Sequence, residues 1–258
     1  MQPDPSPVFV INLEESTQRL AQAMAQLRLV DRRVTRVPAV QGRRFTAADV
    51  PDYDESATLR YMGRKMLGGE LGCYLSHMRA AEAFLDTGHR AGFVFEDDAL
   101  MPEHLFPLAE AGAAWLDANG RDDWRLLNLG YMPSFAWTRL TSLEHAGKRF
   151  DLCAAHYFPM GAFALLWSRK GAEEFLRVAK TIRAPVDNTL RHWLCRAGGG
   201  YGFRPNLGWV STEDSDISGE AARRTYGRSY FYGLKKQRRL WADKLHALAA
   251  KRREAQKA

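Results

Sequence analysis

The segment Ala91–Leu100 limits what this chain can become more than any other. Gly92, Phe93, Val94 and Phe95 form a short apolar run that ends abruptly in Glu96, Asp97 and Asp98. An apolar run of that length reads as a buried strand. Three adjacent carboxylates repel one another, so at the carboxyl end of a buried strand they are best explained by a bound cation or basic ligand. In open α/β sheets that edge is where ligands bind. Side chains alternate on an extended chain, which places Glu96 and Asp98 on one side as a pair able to share one divalent metal. Hard ions such as Mn²⁺ or Mg²⁺ suit carboxylate oxygens and bridge to a diphosphate. The plain alternative is that the acids cap a following helix.

The rest of the sequence supplies the sheet that such a strand needs. Pro7–Leu13 reads as a buried strand, Glu14–Leu29 as a helix with Leu20, Met24 and Leu27 at helical spacing, and Arg33–Val37 as a second strand, a βαβ opening. Ala47–Gly69 has turn residues without a sustained period and reads as a long connection. A helix over Glu70–Leu85, the strand Gly92–Glu96, a helix near Glu103–Leu116, strands Trp124–Leu129 and His156–Leu166, and helices Lys170–Ala179 and Asn188–Cys195 complete an α/β body. With 258 residues and 46% hydrophobic side chains the chain can bury one sizeable core, which excludes disordered, collagen-like and disulfide-stapled classes. Cys73, Cys153 and Cys195 are too few and scattered for a disulfide framework or a Cys-x-x-Cys metal knuckle, so a reducing cytoplasm is expected. The first residues carry no signal-peptide pattern, and no stretch reaches the roughly 18 uncharged residues of a spanning helix.

The helix after Gly68 and Gly69 is the natural companion of the acidic strand. Glu70, Cys73 and His77 fall at i, i+3 and i+7 and share a face beside the stripe Leu71, Leu75 and Met78. A titratable face next to a core stripe suggests a site wall, although a buried Cys and a satisfied His would read the same way. Ser76 and His77 diverge by about 100° and do not form a catalytic pair. Cys73 and His77 alone supply too few ligands for zinc.

The blocks Val10–Leu13 with Arg19, Ala39–Gly42, Gly69–Cys73 with Ser76 and His77, Val94–Asp98, Gly161–Leu165 with Gly171 and Ala172, Pro185–Asp187, and Ser215–Ser218 stand in one order along the chain. In that order they resemble glycosyltransferase family 25, which includes bacterial lipooligosaccharide galactosyltransferases and collagen galactosyltransferase domains. The resemblance implies a GT-A-like nucleotide-sugar-binding domain, a Rossmann-like mixed sheet flanked by helices. It also implies a divalent metal at Glu96–Asp98 and inverting transfer from a UDP-sugar, usually UDP-galactose, to a surface glycan or glycolipid such as lipooligosaccharide. By position, Asp98 would be the main metal ligand, with Glu96 sharing the metal and Glu96 or Asp97 orienting the ribose or the metal. Asn12 and Arg19 would lie near the nucleotide, and Glu70 is placed with them as a cofactor-binding residue.

An inverting transfer needs a carboxylate that takes the acceptor proton. Asp187, in a Pro-x-Asp turn opening a helix, is the first candidate, and its alternative role is a plain cap. Asp214 and Asp216 are further candidates because Ser211–Ser218 follows a strand pattern, and His77 is a candidate contact to phosphate or metal. Arg60, Arg64 and Lys65 are candidates for closing over a diphosphate. Two other classes share these features: a metal-dependent nucleotidyltransferase or phosphohydrolase, and a non-enzymatic basic scaffold.

Charge divides the chain unevenly. Residues 223–258 hold twelve basic residues against Asp243 and Glu254, a net of +10, so residues 1–222 carry −3 of the chain's +7. The expected organisation is a catalytic domain over 1–222 and a basic helical tail over 223–258. In the tail Phe231, Leu234, Trp241, Leu245 and Leu248 recur at helical spacing between lysines and arginines. This pattern fits an amphipathic helix on an anionic membrane surface, and with it a cytoplasmic protein peripheral to the inner face of the membrane. Packing of the tail on the domain is the other expectation. No helix-turn-helix or RNA-recognition pattern supports nucleic-acid binding.

Overall fold

The computed structural model describes residues 5–28, 30–211 and 227–256. Its centre is an eight-stranded mixed sheet. Strand β1 (Val8–Asn12) is buried along its whole length and pairs in parallel with β2 (Val34–Pro38) on one side and β3 (Ala91–Glu96) on the other. A strand covered on both faces reads as a continuous apolar run, which is why Val8–Ile11 shows no alternation. Beyond β3 lie β8 (Ala164–Ser168), β5 (Leu126–Asn128), β9 (Gly200–Arg204), β7 (Lys148–Ala155) and β6 (Trp137–His145), with β8 and β7 antiparallel to their neighbours. A separate short pair joins β4 (Ala99–Leu100) to β10 (Trp209–Val210).

Alternate residues of the same strands feed two cores. Val8, Val10, Phe93 and Phe95 face α1 (Thr17–Leu27) and α4 (Leu105–Ala118), while Phe9, Ile11, Val94 and Leu165 face α3 (Gly68–Leu85), α5 (Arg169–Ala179) and α6 (Val186–Ala197). Helices therefore cover both faces, the three-layer arrangement of α/β sheets. A GT-A-like mixed sheet flanked by helices, with a helix at the C-terminal end, is the fold found.

The structure departs from the sequence pattern in four places. Ala47–Gly69 is not a plain connection, because a 3₁₀ turn (Ala47–Asp49) and helix α2 (Glu55–Tyr61), capped by Asp54 accepting from the Ala57 amide at 2.7 Å, lie within it. The expected strand from His156 begins only at Ala164, since Pro159 lacks a donor and Gly161 adopts φ +89°. The hairpin β6–β7, turning at Ala146 and Gly147 with positive φ, escapes an apolar-run search because no β6 residue is fully buried. Strand β9 is missed because two of its five residues are glycine.

The last helix, α7 (Tyr232–Ala255), packs on the body through polar contacts. Asp243, 2% exposed, accepts from Arg196 of α6 at 2.7 Å, and Glu254 pairs with Arg121. Ala247 is fully buried beside Ala136, Tyr157 and Cys195. The expected division at residues 222 and 223 falls outside the described residues.

Candidate active site

Strands β1, β2 and β3 run in parallel and end together, Asn12 opposite Pro38 and Ile11 opposite Glu96. Their carboxyl ends open into a cleft whose walls include Arg19, Val40–Arg43, Cys73, His77 and Glu96–Asp98. The wall formed by the β2–α3 connection is a backbone-on-backbone contact. A Cβ on Gly42 would sit 2.1 Å from the Gly68 carbonyl oxygen, and one on Gly72 would sit 2.5 Å from that of Val40. Ser76 fastens the contact, its hydroxyl accepting from the Val40 amide at 2.8 Å and donating to the Gly72 carbonyl at 2.7 Å. Gly42 of the Ala39–Gly42 block and Gly72 of the Gly69–Cys73 block are thus needed for close approach.

The three acids occupy different surroundings. Strand β3 stops at Glu96, and Asp97 and Asp98 form a turn, so alternation along an extended chain does not describe them; all three nevertheless reach the cleft. Asp97 accepts from Asn12 Nδ2 at 2.7 Å and faces Arg19 at 3.6 Å. Asn12, 1% exposed, also donates to the Ser16 carbonyl and accepts from Arg36, so it acts on the cleft through Asp97. Asp98 Oδ1 is buried without a hydrogen-bond partner among the described residues. Burial, with repulsion from Glu96 and Asp97, pushes the Asp98 carboxyl up to about 7 against the opposing pull of Arg19.

His77 Nε2 lies 3.0 Å from Glu96 Oε1. A carboxylate only accepts, so this nitrogen carries the proton, which leaves the buried Nδ1 without a partner. Cys73 Sγ is 3.9 Å from the same oxygen, and the ligand atoms of Cys73, His77 and Glu96 lie within 4.8 Å of one another. Glu96 is the third donor that helix spacing alone did not reveal. Burial pushes the Cys73 thiol well up, helped by Glu96 and Asp187, which disfavours the thiolate a soft metal or a nucleophilic role requires.

The donor chemistry fits a hard cation better. Three carboxylates converge in one cleft, and one buried carboxylate oxygen has no hydrogen-bond partner among the described residues.

The other expected residues lie elsewhere. Glu70 is buried, with both oxygens engaged by Arg64 at 2.6 and 2.8 Å and one also by the Leu67 amide at 2.9 Å. Lys65 pairs with Glu55 at 2.9 Å. Arg64 and Lys65 thus hold the α2–α3 connection together, a role hidden in the sequence because Glu55, Arg64 and Lys65 themselves sit in a stretch without helical period. Asp187, in the first turn of α6, lines a separate recess with Tyr131, Met160 and Arg191. Burial raises its carboxyl, while hydrogen bonds from the Asn188 amide and side chain oppose the shift. It stays close enough to the cleft to act on Cys73 electrostatically. Asp214 and Asp216 lie outside the described residues. Gln41, within the Ala39–Gly42 block, and Arg43 also line the cleft; no role is readable for either from the sequence, since a loop glutamine and arginine have no period to mark them.

Comparison with known proteins is consistent with this geometry. The family model described as "Glycosyltransferase family 25 (LPS biosynthesis protein)" matches residues 6–190. "Procollagen galactosyltransferase 1" of Danio rerio is 31% identical over 198 residues, covering 71% of this chain and 30% of that protein. "Probable inactive glycosyltransferase 25 family member 3" of Rattus norvegicus is 33% identical over 106 residues, 38% of this chain and 18% of its own length. "Glycosyltransferase 25 family member" of Anopheles gambiae is 30% identical over 129 residues, 48% of this chain and 22% of its own. The matched region thus spans less than a third of each of these relatives.

Proposed function

The chain belongs to glycosyltransferase family 25, and from that premise we propose that it transfers a sugar, galactose in the first instance, from a UDP-sugar to a hydroxyl of lipooligosaccharide or a similar surface glycan, with inversion at the anomeric carbon. One observation carries the reading: the buried, unpartnered Asp98 oxygen beside Glu96 and Asp97, in a cleft at the carboxyl edge of three parallel strands. In α/β sheets that edge receives nucleotides. Glu96 and Asp98 would hold a divalent cation, Mn²⁺ or Mg²⁺, whose charge stabilises the departing diphosphate.

Each remaining step belongs to the chain's own residues. The Asp97 carboxylate, held by Asn12 and Arg19, would orient the ribose. The Val40–Arg43 segment, fixed on α3 through Gly42 and Ser76, walls the nucleotide. His77 fixes the orientation of Glu96 by donating to it. Glu70 contributes by locking the start of α3 through Arg64. The acceptor oxygen bonds to the anomeric carbon as the bond from that carbon to the UDP oxygen breaks. Asp187 takes the acceptor proton, and its raised carboxyl suits a general base. Asp216 is the other acid for this role.

Transfer from a panel of UDP-sugars to a lipooligosaccharide acceptor, followed by mass spectrometry of the glycan, tests the reading. One hexose is added for each UDP released. Asp187→Asn loses about 10²-fold or more in kcat with little change in the KM for donor. Near-normal transfer by Asp187→Asn moves the base to another acid. Release of sugar phosphate without glycan extension overturns the transferase reading.

A further inference from the structure

Helix α7 is inverted relative to an ordinary surface helix. Its two acids, Asp243 and Glu254, face the body and are paired there, and its one fully buried side chain is an alanine. Leu240 is half-buried on the same inner side, but most of the helix's other large apolar side chains point away. Leu234, Trp241, Leu245 and Leu248, spaced by seven, four and three residues, form one stripe that Phe231 extends from the helix start. Their exposure runs from 38% for Leu248 to 70% for Leu234. A helix held by its polar face, with an apolar stripe in water, has its hydrophobic partner outside the chain's described residues.

The charges around the stripe identify the partner's chemistry. At about 100° per residue, Arg238 falls on one flank, Lys244 and Lys251 on the other, and Arg252 at the far end. Lys244 Nζ lies 5.2 Å from the Trp241 ring centre, its stem alongside apolar surface as in residues that reach toward a polar boundary. Arg60 of α2 joins Phe231, Leu234 and Arg238 at the edge of the stripe. From there a broad groove continues between α2, α5 and α6, with Arg60, Arg177, Arg183 and Arg238 among its walls. No acid of α7 lies on the outward face.

We propose that the outward face of α7, from Phe231 to Arg252, docks flat on an anionic phospholipid surface. The apolar stripe enters the headgroup boundary and the flanking cations meet lipid phosphates. A second copy of this chain is a poorer occupant, because two such faces would bring like charges together. Among the described residues no helix is long and apolar enough to cross a membrane, and this contact lies in the interface plane. The proposal rests on a surface apart from the nucleotide cleft and stands whether or not the transfer reaction does.

Flotation of the full chain with phosphatidylcholine vesicles, with and without phosphatidylglycerol, tests it. The chain floats with the anionic vesicles and stays behind with the neutral ones, and binding weakens at about 0.5 M salt. The combined substitution Leu234→Ser, Trp241→Ser and Leu245→Ser lowers binding about tenfold or more. Arg238→Gln, Lys251→Gln and Arg252→Gln together do the same through charge alone. These side chains are exposed, and circular dichroism with a thermal melt confirms that each variant is folded. Absence of flotation, or flotation of both variants equal to the parent, overturns the proposal. A dimer seen by light scattering that the apolar variant dissolves, without flotation of the parent, assigns the face to a second copy and also overturns it.

Discussion

Asp98 and Glu70 show how two acids within one site region take opposite parts. Asp98 keeps a buried oxygen without a protein partner, whereas Glu70 has every oxygen bound by Arg64 and the Leu67 amide. Removing one member of a buried ion pair leaves the other charged and desolvated, at a cost of about 3 kcal/mol. Arg64→Met is therefore expected to lower the free energy of urea unfolding by about that much, with the Kd for UDP changed far less than by substitution in the cleft. His156 offers a test by pH. Burial pushes its imidazole down to about 4, and its ring meets the Thr138 hydroxyl at 3.0 Å. The unfolded chain, with a histidine near 6.5, binds more protons between these values. Stability is consequently complete above about 6.5 and falls as pH drops toward 4. An NMR titration should find His156 neutral at pH 5, and a midpoint near 6.5 would contradict its burial. Of the site, Glu96–Asp98 and the Cys73–His77 face are legible from spacing, because strand and helix periods are local. The Arg64–Glu70 pair and the Cys73–His77–Glu96 contact are not, since they depend on which elements meet.

Elements position this chemistry through close contact as much as through side chains. The β2–α3 connection approaches the first turns of α3 at Gly42, Gly68 and Gly72, where backbone atoms leave no room for a Cβ. Gly42→Ala is expected to force these segments apart and to cost about 1–3 kcal/mol. It should also weaken UDP binding, because Val40–Arg43 walls the cleft; calorimetry and thermal melting measure both effects. The parallel opening β1–α1–β2 and the strand β3 follow from apolar runs and helical spacing, and the structure has them within a few residues. The hairpin β6–β7 does not follow, because β6 is polar and only partly buried, and the buried run Leu152–Ala155 of β7 is too short and small-sided to stand out. Pro159 and Gly161 likewise interrupt an apolar stretch that composition alone extends into one strand. Helix α2, seven residues long, is held by its Asp54 cap and by Tyr61 against His192 more than by its own pattern.

For the whole molecule, the sheet order brings three strand ends, one loop and the first turns of one helix to a single edge, and there Glu96, Asp97 and Asp98 collect. The basic helix α7 lies against α6 on the body, its acids inward and its apolar stripe outward. Tail packing and an outward amphipathic face, which stand as alternatives in the sequence, thus coexist, because the helix packs through Asp243 and Ala247 rather than through the leucines of its outward stripe. Sequence alone reaches the α/β class, the acidic edge and the charge asymmetry, all set by local composition. It does not reach the sense of the last helix, which depends on Arg196 and Arg121 from distant elements. The central claim is that Glu96 and Asp98 form a cation-dependent site for the donor diphosphate. Calorimetric titration of UDP into the full chain, with and without Mn²⁺, tests it most directly when Asp98→Ala and Cys73→Ser are run beside the parent. The account predicts binding that requires the metal, falls at least about 10²-fold in Asp98→Ala and persists in Cys73→Ser. UDP binding indifferent to the metal, or retained in Asp98→Ala, would contradict it.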